Sequence, residues 1–341
     1  MTALIEALAG DEAAAALLSD AAGIAAMVRF EAALAEAEAE AGLIPAAAGP
    51  AIAAALAGFR PDMAALARGI ARDGVVVPAL VKALRAAAGP HGDAVHFGAT
   101  SQDVIDTATV MQAAAVADLL AERGAEILAG FDAMAARWGG QALMAHTRMQ
   151  RALPFTVGAK VESWRAPLVR VLAGLAAAGE AAFVVQLGGP VGDGASFRGR
   201  QAEVAAGMAR RLGLRPGPPW QAGRDRLAAF AGELAALSGV LGKFGADVAL
   251  MAQNELGEVR IAGGGSSSAM AHKANPVNAE VLVSLARFNA GLAGTFAQAL
   301  VHENERSGAG WTLEWLVLPR MLVTAAASTR LARALVGQMS F

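Results

Sequence analysis

The chain is a succession of apolar and polar positions with helical period, and no stretch stands out for the strict alternation that is typical of strands. Five of the helical patterns are long. They are predicted at about 102–137, 154–180, 224–260, 276–302 and 312–336, with shorter ones before residue 98 and near 197–212. The pattern therefore predicts an all-α fold. A small helical domain, residues 1–98, is followed by a long-helix bundle domain, residues 99–341.

The fourth long helix is unusually apolar. Between Val277 and Val301 it carries only two charged residues, Glu280 and Arg287. A helix that is apolar all round is buried on every face, and polar residues such as Asn278 argue against a membrane span. A five-helix monomer would leave part of this surface in water, so we expect copies of the chain to associate through it. A fully enclosed central helix of a monomer is the alternative.

Composition narrows the functional classes. The chain has 341 residues, 55% of them hydrophobic and 17% charged, with a formal net charge of −2. No basic patch of the kind that binds nucleic acid is present, and the chain has no cysteine for disulfides or zinc-thiolate sites. The first residues lack the basic start of a signal peptide, and no uninterrupted apolar run reaches the ~18 residues of a membrane span. A cytoplasmic location without nucleic-acid or membrane partners is expected.

A first polar cluster, residues 96–107, lies at the start of the first long helix and begins with His96. The hydroxyls of Thr100 and Ser101, together with the free amides of a helix start, can bind an anion. Capping of the helix alone would explain Ser101 equally well.

A second polar cluster, residues 146–151, precedes the second long helix and contains Thr147, Arg148 and Gln150. An arginine can hold a carboxylate through two parallel hydrogen bonds. The alternative is a polar loop without a binding role.

The third cluster is the stretch 263–280, GGGSSSAMAHKANPVNAE, between two long helices. A Gly/Ser run that ends in Lys273 and Asn275 suits a loop that closes over an anionic substrate, although a flexible connector has the same composition. Arg306 is a further candidate, because it lies at the start of the last long helix.

Motifs for metal and nucleotide sites are missing from the sequence. The five histidines are scattered, without HExxH or similar spacing, and no P-loop or GxGxxG after a predicted strand is present. We therefore expect neither a metal nor a cofactor.

The three clusters together resemble three regions of the fumarase/aspartase superfamily. Its signature, G-S-S-x-M-x-x-K-x-N-P, is matched by residues 267–270 and 273–276, with Ser266 where the family usually has its last glycine. Residues 96–107 match the family's first region, HxGxTSxDxxDT, at every fixed position. The second region is matched by Thr147, Gln150, Pro154, Thr156 and Gly158.

Within the superfamily the chain is most similar to the 3-carboxy-cis,cis-muconate cycloisomerases. These enzymes lack a histidine that the lyases have in the second region, where this chain has Arg148. Residues 29–45 and 305–319 also resemble that branch. The resemblance implies lactonisation of 3-carboxy-cis,cis-muconate to carboxymuconolactone in protocatechuate degradation. A fumarate-releasing lyase of the adenylosuccinate or argininosuccinate type and a non-catalytic member are the alternatives.

The resemblance also implies the site residues and the assembly. Ser267 is expected to transfer a proton at carbon, Lys273 to bind and polarise a carboxylate, and Arg148 to take the place of the lyases' histidine. The expected substrate-binding residues are His96, Thr100, Ser101, Thr147, Gln150, Ser268, Met270, Asn275 and Arg306. The substrate is a small tricarboxylate, and the resemblance implies a homotetramer with active sites shared between subunits. The further C-terminal domain that the family usually carries is expected to be absent or reduced.

Overall fold

The computed structural model describes residues 3–266, 270 and 274–341. In these ranges the chain forms twelve α-helices and four short strands. The predicted all-α class is confirmed, because helices make up the framework and the strands form only two small pairs.

Six helices come before residue 98. They are α1 Ala3–Ala9, α2 Glu12–Leu17, α3 Asp20–Glu40, α4 Ala48–Ala57, α5 Met63–Asp73 and α6 Val77–Ala87, followed by a 3₁₀ helix at Gly89–Ala94. Side chains that the sequence places just before the helices cap several of them. Ser19 accepts the Ala22 amide of α3 at 3.3 Å, and Asp62 accepts the Ala65 amide of α5 at 3.0 Å.

The remaining helices include the five predicted long ones. They are α7 Ser101–Trp138, α8 Val157–Ala182, α9 Gln201–Leu212, α10 Asp225–Met251, α11 Val277–Ala297 and α12 Gly308–Gln338. Pro167 and Pro319 lie inside α8 and α12 without ending them. The long helices enclose one apolar core in which Phe131 packs edge-on against Phe244 with ring centroids 5.2 Å apart.

The five long helices alternate in direction. Arg306, just before α12, contacts Thr100, just before α7, at 3.0 Å, and Asn278 near the start of α11 contacts Gln338 at the end of α12 at 3.2 Å. A further contact joins the start of α8 to the end of α10. The bundle therefore has two ends. We call the one where α7, α10 and α12 begin the α7 end.

The opposite end carries a β-hairpin that the sequence analysis did not predict. Strands β1 Ala142–Thr147 and β2 Gln150–Thr156 pair antiparallel, so α8 begins at Val157 and not near residue 154. The two residues of the turn, Arg148 and Met149, have φ of 48° and 65°. Two left-handed residues give the type I′ turn that joins hairpin strands. We call this end of the bundle the hairpin end.

The third long helix is shorter than predicted. The pattern extended it to about residue 260, but α10 ends at Met251. The chain turns after the helix at Gly257, whose φ is 58°. The Val259 amide then donates to the Met251 carbonyl at 3.3 Å and caps the helix end. The released chain forms β3 Arg260–Ile261, which pairs with β4 Met339–Ser340.

Helix α11 is buried on one face only within this chain. Ala279, Leu282 and Leu285 are buried, whereas Phe288 is 45% exposed. Beyond the helix, Val301 is 72% exposed. The alternative of a fully enclosed central helix is therefore wrong for the single chain.

Two of the bundle helices, α7 and α10, are long and apolar enough by composition to cross a membrane. Their most apolar stretches are 56% and 50% buried inside the chain, where they form part of the core. This burial is what the core helices of a bundle require.

Candidate active site

The start of α7 is fixed by one buried carboxylate. Asp103 accepts the Thr100 amide at 3.0 Å, the Gly188 amide at 2.7 Å and the Gly189 amide at 2.9 Å. Gln186 adds a fourth hydrogen bond at 3.1 Å. Burial raises the pKa of Asp103 to about 6, while these hydrogen bonds act in the lowering direction. The result is a rigid junction between the helix start and the 186–189 segment.

Arg306 lies over this junction. Its Nε donates to Gln102 Oε1 at 3.0 Å, and its Nη2 donates to Thr100 Oγ1 and to the Pro190 carbonyl, both at 3.0 Å. All three partners are neutral, and among the described residues no carboxylate forms an ion pair with this exposed guanidinium. A fixed cation of this kind is well suited to bind a carboxylate. The sequence predicted Arg306 and Thr100 separately, and the structure brings them together.

A buried ion network forms the floor beneath Arg306. Arg224 donates to both oxygens of Asp106, at 2.6 and 3.1 Å, and to both oxygens of Glu314. Burial lowers the pKa of Arg224, but the two carboxylates outweigh it and raise the pKa above its usual value. Trp311 Nε1 and Gln102 Nε2 also donate to Asp106, at 2.8 and 3.1 Å. The network thus ties Gln102, a direct partner of Arg306, to the bundle core.

His96 and Ser101 belong to the same end. His96 Nδ1 lies 2.6 Å from Glu31 Oε1 of α3. Ser101 is the first residue of α7, so its amide is one of those left free by helix geometry. The first cluster therefore supplies a histidine and a helix start, and Arg306 adds a fixed arginine beside them.

The second cluster lies at the hairpin end. Thr147 and Gln150 pair across the turn, and Arg148 occupies the turn itself. Arg148 and Gln150 line a cleft of about 660 Å³ together with Lys160 and Asp247. The second cluster is thus the tip of a hairpin, and it lines an open cleft.

The third cluster lies beside it. Gly265 and Asn275 exchange backbone hydrogen bonds of 2.9 and 2.8 Å, which join the two ends of the Ser/Met/Lys segment. A Cβ on Gly265 would lie 2.5 Å from a Val277 methyl, so glycine allows this close approach. Asn275 and Met270 line a second cleft of about 580 Å³. Ser267, Ser268 and Lys273 lie outside the described residues.

The two clefts at the hairpin end share one wall. Leu250, Gln253 and Glu255, at the end of α10 and just after it, line both. In a single chain, Arg148 and Asn275 therefore face neighbouring spaces on the two sides of one segment.

The predicted site residues consequently form two groups at opposite ends of the bundle. One group is at the α7 end and the other is at the hairpin end. Helix α7 has 38 residues and spans about 57 Å at ~1.5 Å per residue, so no cleft of one chain can contain both groups.

Several residues of the α7 end were not predicted to have a role. Gln102, Arg224, Glu314 and Glu31 lie far apart in sequence and join only through hydrogen bonds of the folded chain. Arg224 precedes α10 without any capping signature. Gln102 lay inside the first motif, and Glu31 and Glu314 lay inside the stretches 29–45 and 305–319 that resemble the cycloisomerases, whereas Arg224 lay outside all of them.

No cluster of three or more His, Cys, Asp or Glu side chains that could hold a metal ion occurs in the part of the chain that the structure describes. The predicted site residues that the structure describes supply cations, amides and hydroxyls, among them Arg306, Gln150 and Thr100. They are suited to bind carboxylates directly.

Comparison with known proteins identifies the family to which the chain belongs. The family described as Lyase matches residues 14–288. A 3-carboxy-cis,cis-muconate cycloisomerase of Bradyrhizobium diazoefficiens is 40% identical over 88% of this chain and 69% of its own length. A nitrosuccinate lyase of Streptomyces davaonensis is 35% identical over 93% of this chain and 70% of its own length.

A solved structure is similar along nearly the whole chain. The crystal structure of 3-carboxy-cis,cis-muconate lactonizing enzyme from Pseudomonas putida has a TM-score of 0.92 and 36% identity. The match covers 99% of this chain and 77% of that one. From the family match, the relatives and the shared helical fold, the chain belongs to the fumarase/aspartase superfamily of lyases.

Proposed function

We propose that this protein is a 3-carboxy-cis,cis-muconate cycloisomerase, an intramolecular lyase that forms carboxymuconolactone in protocatechuate degradation. The similarity to the cycloisomerase and lactonizing enzymes described above supports the choice of substrate. The structural observation that supports this function most directly is the position of Arg306, an exposed cation held by three neutral acceptors beside a helix start. That arrangement is well suited to a substrate with several carboxylates.

The reaction is an isomerisation, so every atom of the substrate remains in the product. One carboxylate oxygen adds to a conjugated double bond, and a proton is delivered to the carbon next to another carboxylate. The intermediate resembles an enediolate and collects extra negative charge on that second carboxylate. Fixed donors and cations that face this charge are the main catalytic resource, and each can contribute several kcal/mol.

The proposed roles follow from this distribution of charge. Ser267 supplies the proton to carbon, and Lys273 with Asn275 binds and polarises the carboxylate that collects charge. Arg148 binds a carboxylate, because a guanidinium does not act as a general acid. The remaining carboxylate contacts come from the side chains predicted above: His96, Thr100, Ser101, Thr147, Gln150, Ser268, Met270 and Arg306.

The proposed active site needs more than one copy of the chain. Thr100 and Arg306 lie at the α7 end, whereas Arg148 and Asn275 lie at the hairpin end. Copies packed antiparallel bring one end of a chain beside the other end of its neighbour. We propose a homotetramer with shared sites that works in the cytoplasm, in agreement with the exposed apolar face of α11.

The first test is turnover of 3-carboxy-cis,cis-muconate, followed by the loss of ultraviolet absorbance as the conjugated system closes. The wild-type protein should turn it over, and Ser267→Ala should lose at least ~100-fold in kcat, within the usual contribution of a proton-transfer group. Ser266→Ala is the matched control and should keep wild-type kcat. Full turnover by Ser267→Ala would remove the proton-transfer role, and an inactive wild-type protein would remove the proposed function.

A fumarate-releasing lyase is the second candidate. The similarity to nitrosuccinate lyase and the presence of His96 in the first region favour it, whereas Arg148 at the position of the lyases' histidine weighs against it. The same purified protein, incubated with adenylosuccinate, argininosuccinate and nitrosuccinate, should release no fumarate. Fumarate release without turnover of the muconate would replace the first proposal by the second.

A further inference from the structure

Glu31 makes one contact that the proposed mechanism does not use. Its Oε1 lies 2.6 Å from Nδ1 of His96, 65 residues away in the sequence. The Glu31 side chain is 0% exposed, and its second oxygen has no hydrogen-bond partner. Because a buried carboxylate is costly without a partner, the His96 ring is the group that makes this position possible for Glu31.

The backbone at His96 is also constrained. His96 has φ of 64°, a left-handed conformation that residues other than glycine rarely adopt and that recurs at functional sites. The preceding residue, Val95, is buried, and its carbonyl accepts two hydrogen bonds from Arg85, at 3.3 and 3.4 Å. The ring is thus held from the backbone side as well as by Glu31.

The contact determines which ring nitrogen is left for a ligand. A carboxylate accepts hydrogen bonds but cannot donate, so the proton of the ring lies on Nδ1. Nε2 makes no hydrogen bond to the described residues, and the His96 side chain is 14% exposed. His96 is four residues before Thr100, at the same end of the bundle as Arg306.

A second buried glutamate lies on the same helix and makes no comparable contact. Glu38, on the same helix, is fully buried, and neither of its oxygens has a hydrogen bond. Burial, and to a smaller extent the nearby charge of Glu31, together raise the pKa of Glu38 to about 9. Glu38 therefore carries a proton at neutral pH and adds no charge to the cluster.

We propose that Glu31 is a positioning residue that holds the His96 ring through Nδ1–H and directs a protonated Nε2 at a substrate carboxylate. This role rests on the proposed cycloisomerase function. When Nε2 is also protonated, it donates to the bound carboxylate, and the Glu31 charge balances the imidazolium. A residue in the N-terminal helices thereby acts on the site through the ring that it orients.

Glu31→Gln tests the proposal with almost no change of shape. The amide can donate to Nδ1, which allows the ring to keep its proton on Nε2 instead. The amide carries no charge to balance a doubly protonated ring, so His96 would meet the substrate carboxylate as a neutral donor. We expect KM for 3-carboxy-cis,cis-muconate to rise ~10-fold, because hydrogen bonds between charged groups are stronger than those with a neutral donor, with a smaller change in kcat. The ¹⁵N spectrum of histidine-labelled protein, with His96 assigned from His96→Gln, should change from Nδ1–H to Nε2–H.

Glu38→Gln is the matched control, because it makes the same substitution at another fully buried position of the same helix. Its side chain is already neutral, so both KM and the His96 tautomer should remain those of the wild type. Equal losses in the two variants would overturn the proposal in favour of general damage to the helix. An unchanged KM and tautomer in Glu31→Gln would also overturn it.

The spectrum separates this inference from the proposed function. It is recorded without substrate, so a wild-type protein that fails to turn over the muconate still reports the tautomer of His96. A wild-type ring with its proton on Nε2 would overturn the role of Glu31 even if Glu31→Gln does not fold. An Nδ1–H ring in an inactive protein would leave the positioning intact and remove only the muconate as the ligand.

Discussion

At the scale of single residues, the buried carboxyl groups differ in how they are stabilised. Asp106 and Glu314 share the guanidinium of Arg224, so each carboxylate has a cationic partner inside the bundle. Glu38 has no such partner, because it is fully buried and neither of its oxygens has a hydrogen bond. A lone buried carboxyl is stable only when it is neutral, and its raised pKa of about 9 expresses this.

The raised pKa of Glu38 predicts a dependence of stability on pH. Its ordinary value is 4.5, so between 4.5 and about 9 the folded state binds a proton that the unfolded state has lost. The contribution of Glu38 to stability is therefore complete below 4.5 and decreases as pH rises, by about 1 kcal/mol per unit. Urea unfolding at fixed protein concentration, from about pH 5 to 8.5, measures the decrease.

Glu38→Gln provides the comparison, because its amide cannot titrate. As pH rises, the unfolding free energy of the wild type should fall relative to that of the variant by about 1 kcal/mol per pH unit. Asp103, whose pKa is also raised, titrates equally in both proteins and cancels in the difference. Parallel stability curves for the two proteins would contradict a neutral Glu38.

At the scale of elements, the β-hairpin shows where hydrophobic periodicity fails as a predictor. None of the residues in β1 or β2 is buried, so the strands have no apolar face to mark in the sequence. The turn also lacks a sequence signal, since Arg148 and Met149 replace the asparagine and glycine that usually adopt these angles. The hairpin could therefore be seen only in the folded chain.

Met149→Gly should strengthen the hairpin. With φ of 65°, Met149 adopts an angle that costs an ordinary residue about 1–2 kcal/mol. Glycine adopts this angle without that cost but loses more backbone entropy on ordering, so only part of the cost is recovered. We expect the amides of β1 and β2 to exchange with solvent up to ~5-fold more slowly, equivalent to ~1 kcal/mol. Arg151→Gly, in the neighbouring strand and without a positive φ, should accelerate exchange instead. Equal effects of the two glycines would argue against strain at Met149.

The long helices, in contrast, could be predicted closely from the sequence. Their apolar faces recur with helical period because they pack into one core, and four of the five have observed ends within a few residues of the predicted ones. The exception is α10, where apolar residues such as Leu256 and Val259 continue the pattern beyond Met251. There a backbone contact to Val259 ends the helix, and periodicity carries no information about it.

At the scale of the whole molecule, the exposed face of α11 predicts the assembly. Phe288 is 45% exposed in the single chain, on a helix whose other face is buried in the core. Phe288→Asp would place a charge in the proposed interface, where an unpaired buried charge is strongly unfavourable. Sedimentation velocity should show the wild type as a tetramer and the variant as smaller species.

The control for the assembly is Met63→Asp. Met63 is 40% exposed, close to the exposure of Phe288, but it lies at the start of α5, among the N-terminal helices, and not on α11. This variant should sediment like the wild type. A wild-type protein that sediments as a stable monomer would contradict both the interface on α11 and the sharing of active sites.

The candidate site could be predicted only in parts. The motifs gave its polar residues, but their division between two ends became visible only from the alternating directions of the helices. The Asp106–Arg224–Glu314 network left no local signal, because its members are brought together by tertiary packing alone. The boundary at residue 98 remains a prediction, since Phe30 of α3 and Val104 of α7 share one apolar cluster.

The length of α7 has a genetic consequence. A chain damaged at Arg306 retains an intact hairpin end, and a chain damaged at Asn275 retains an intact α7 end, since the two positions lie at opposite ends of the bundle. If sites are shared as proposed, a cell with both alleles forms mixed tetramers. Some active sites in these tetramers are built from an intact α7 end of one chain and an intact hairpin end of the other. Two defective alleles could then restore together what neither provides alone.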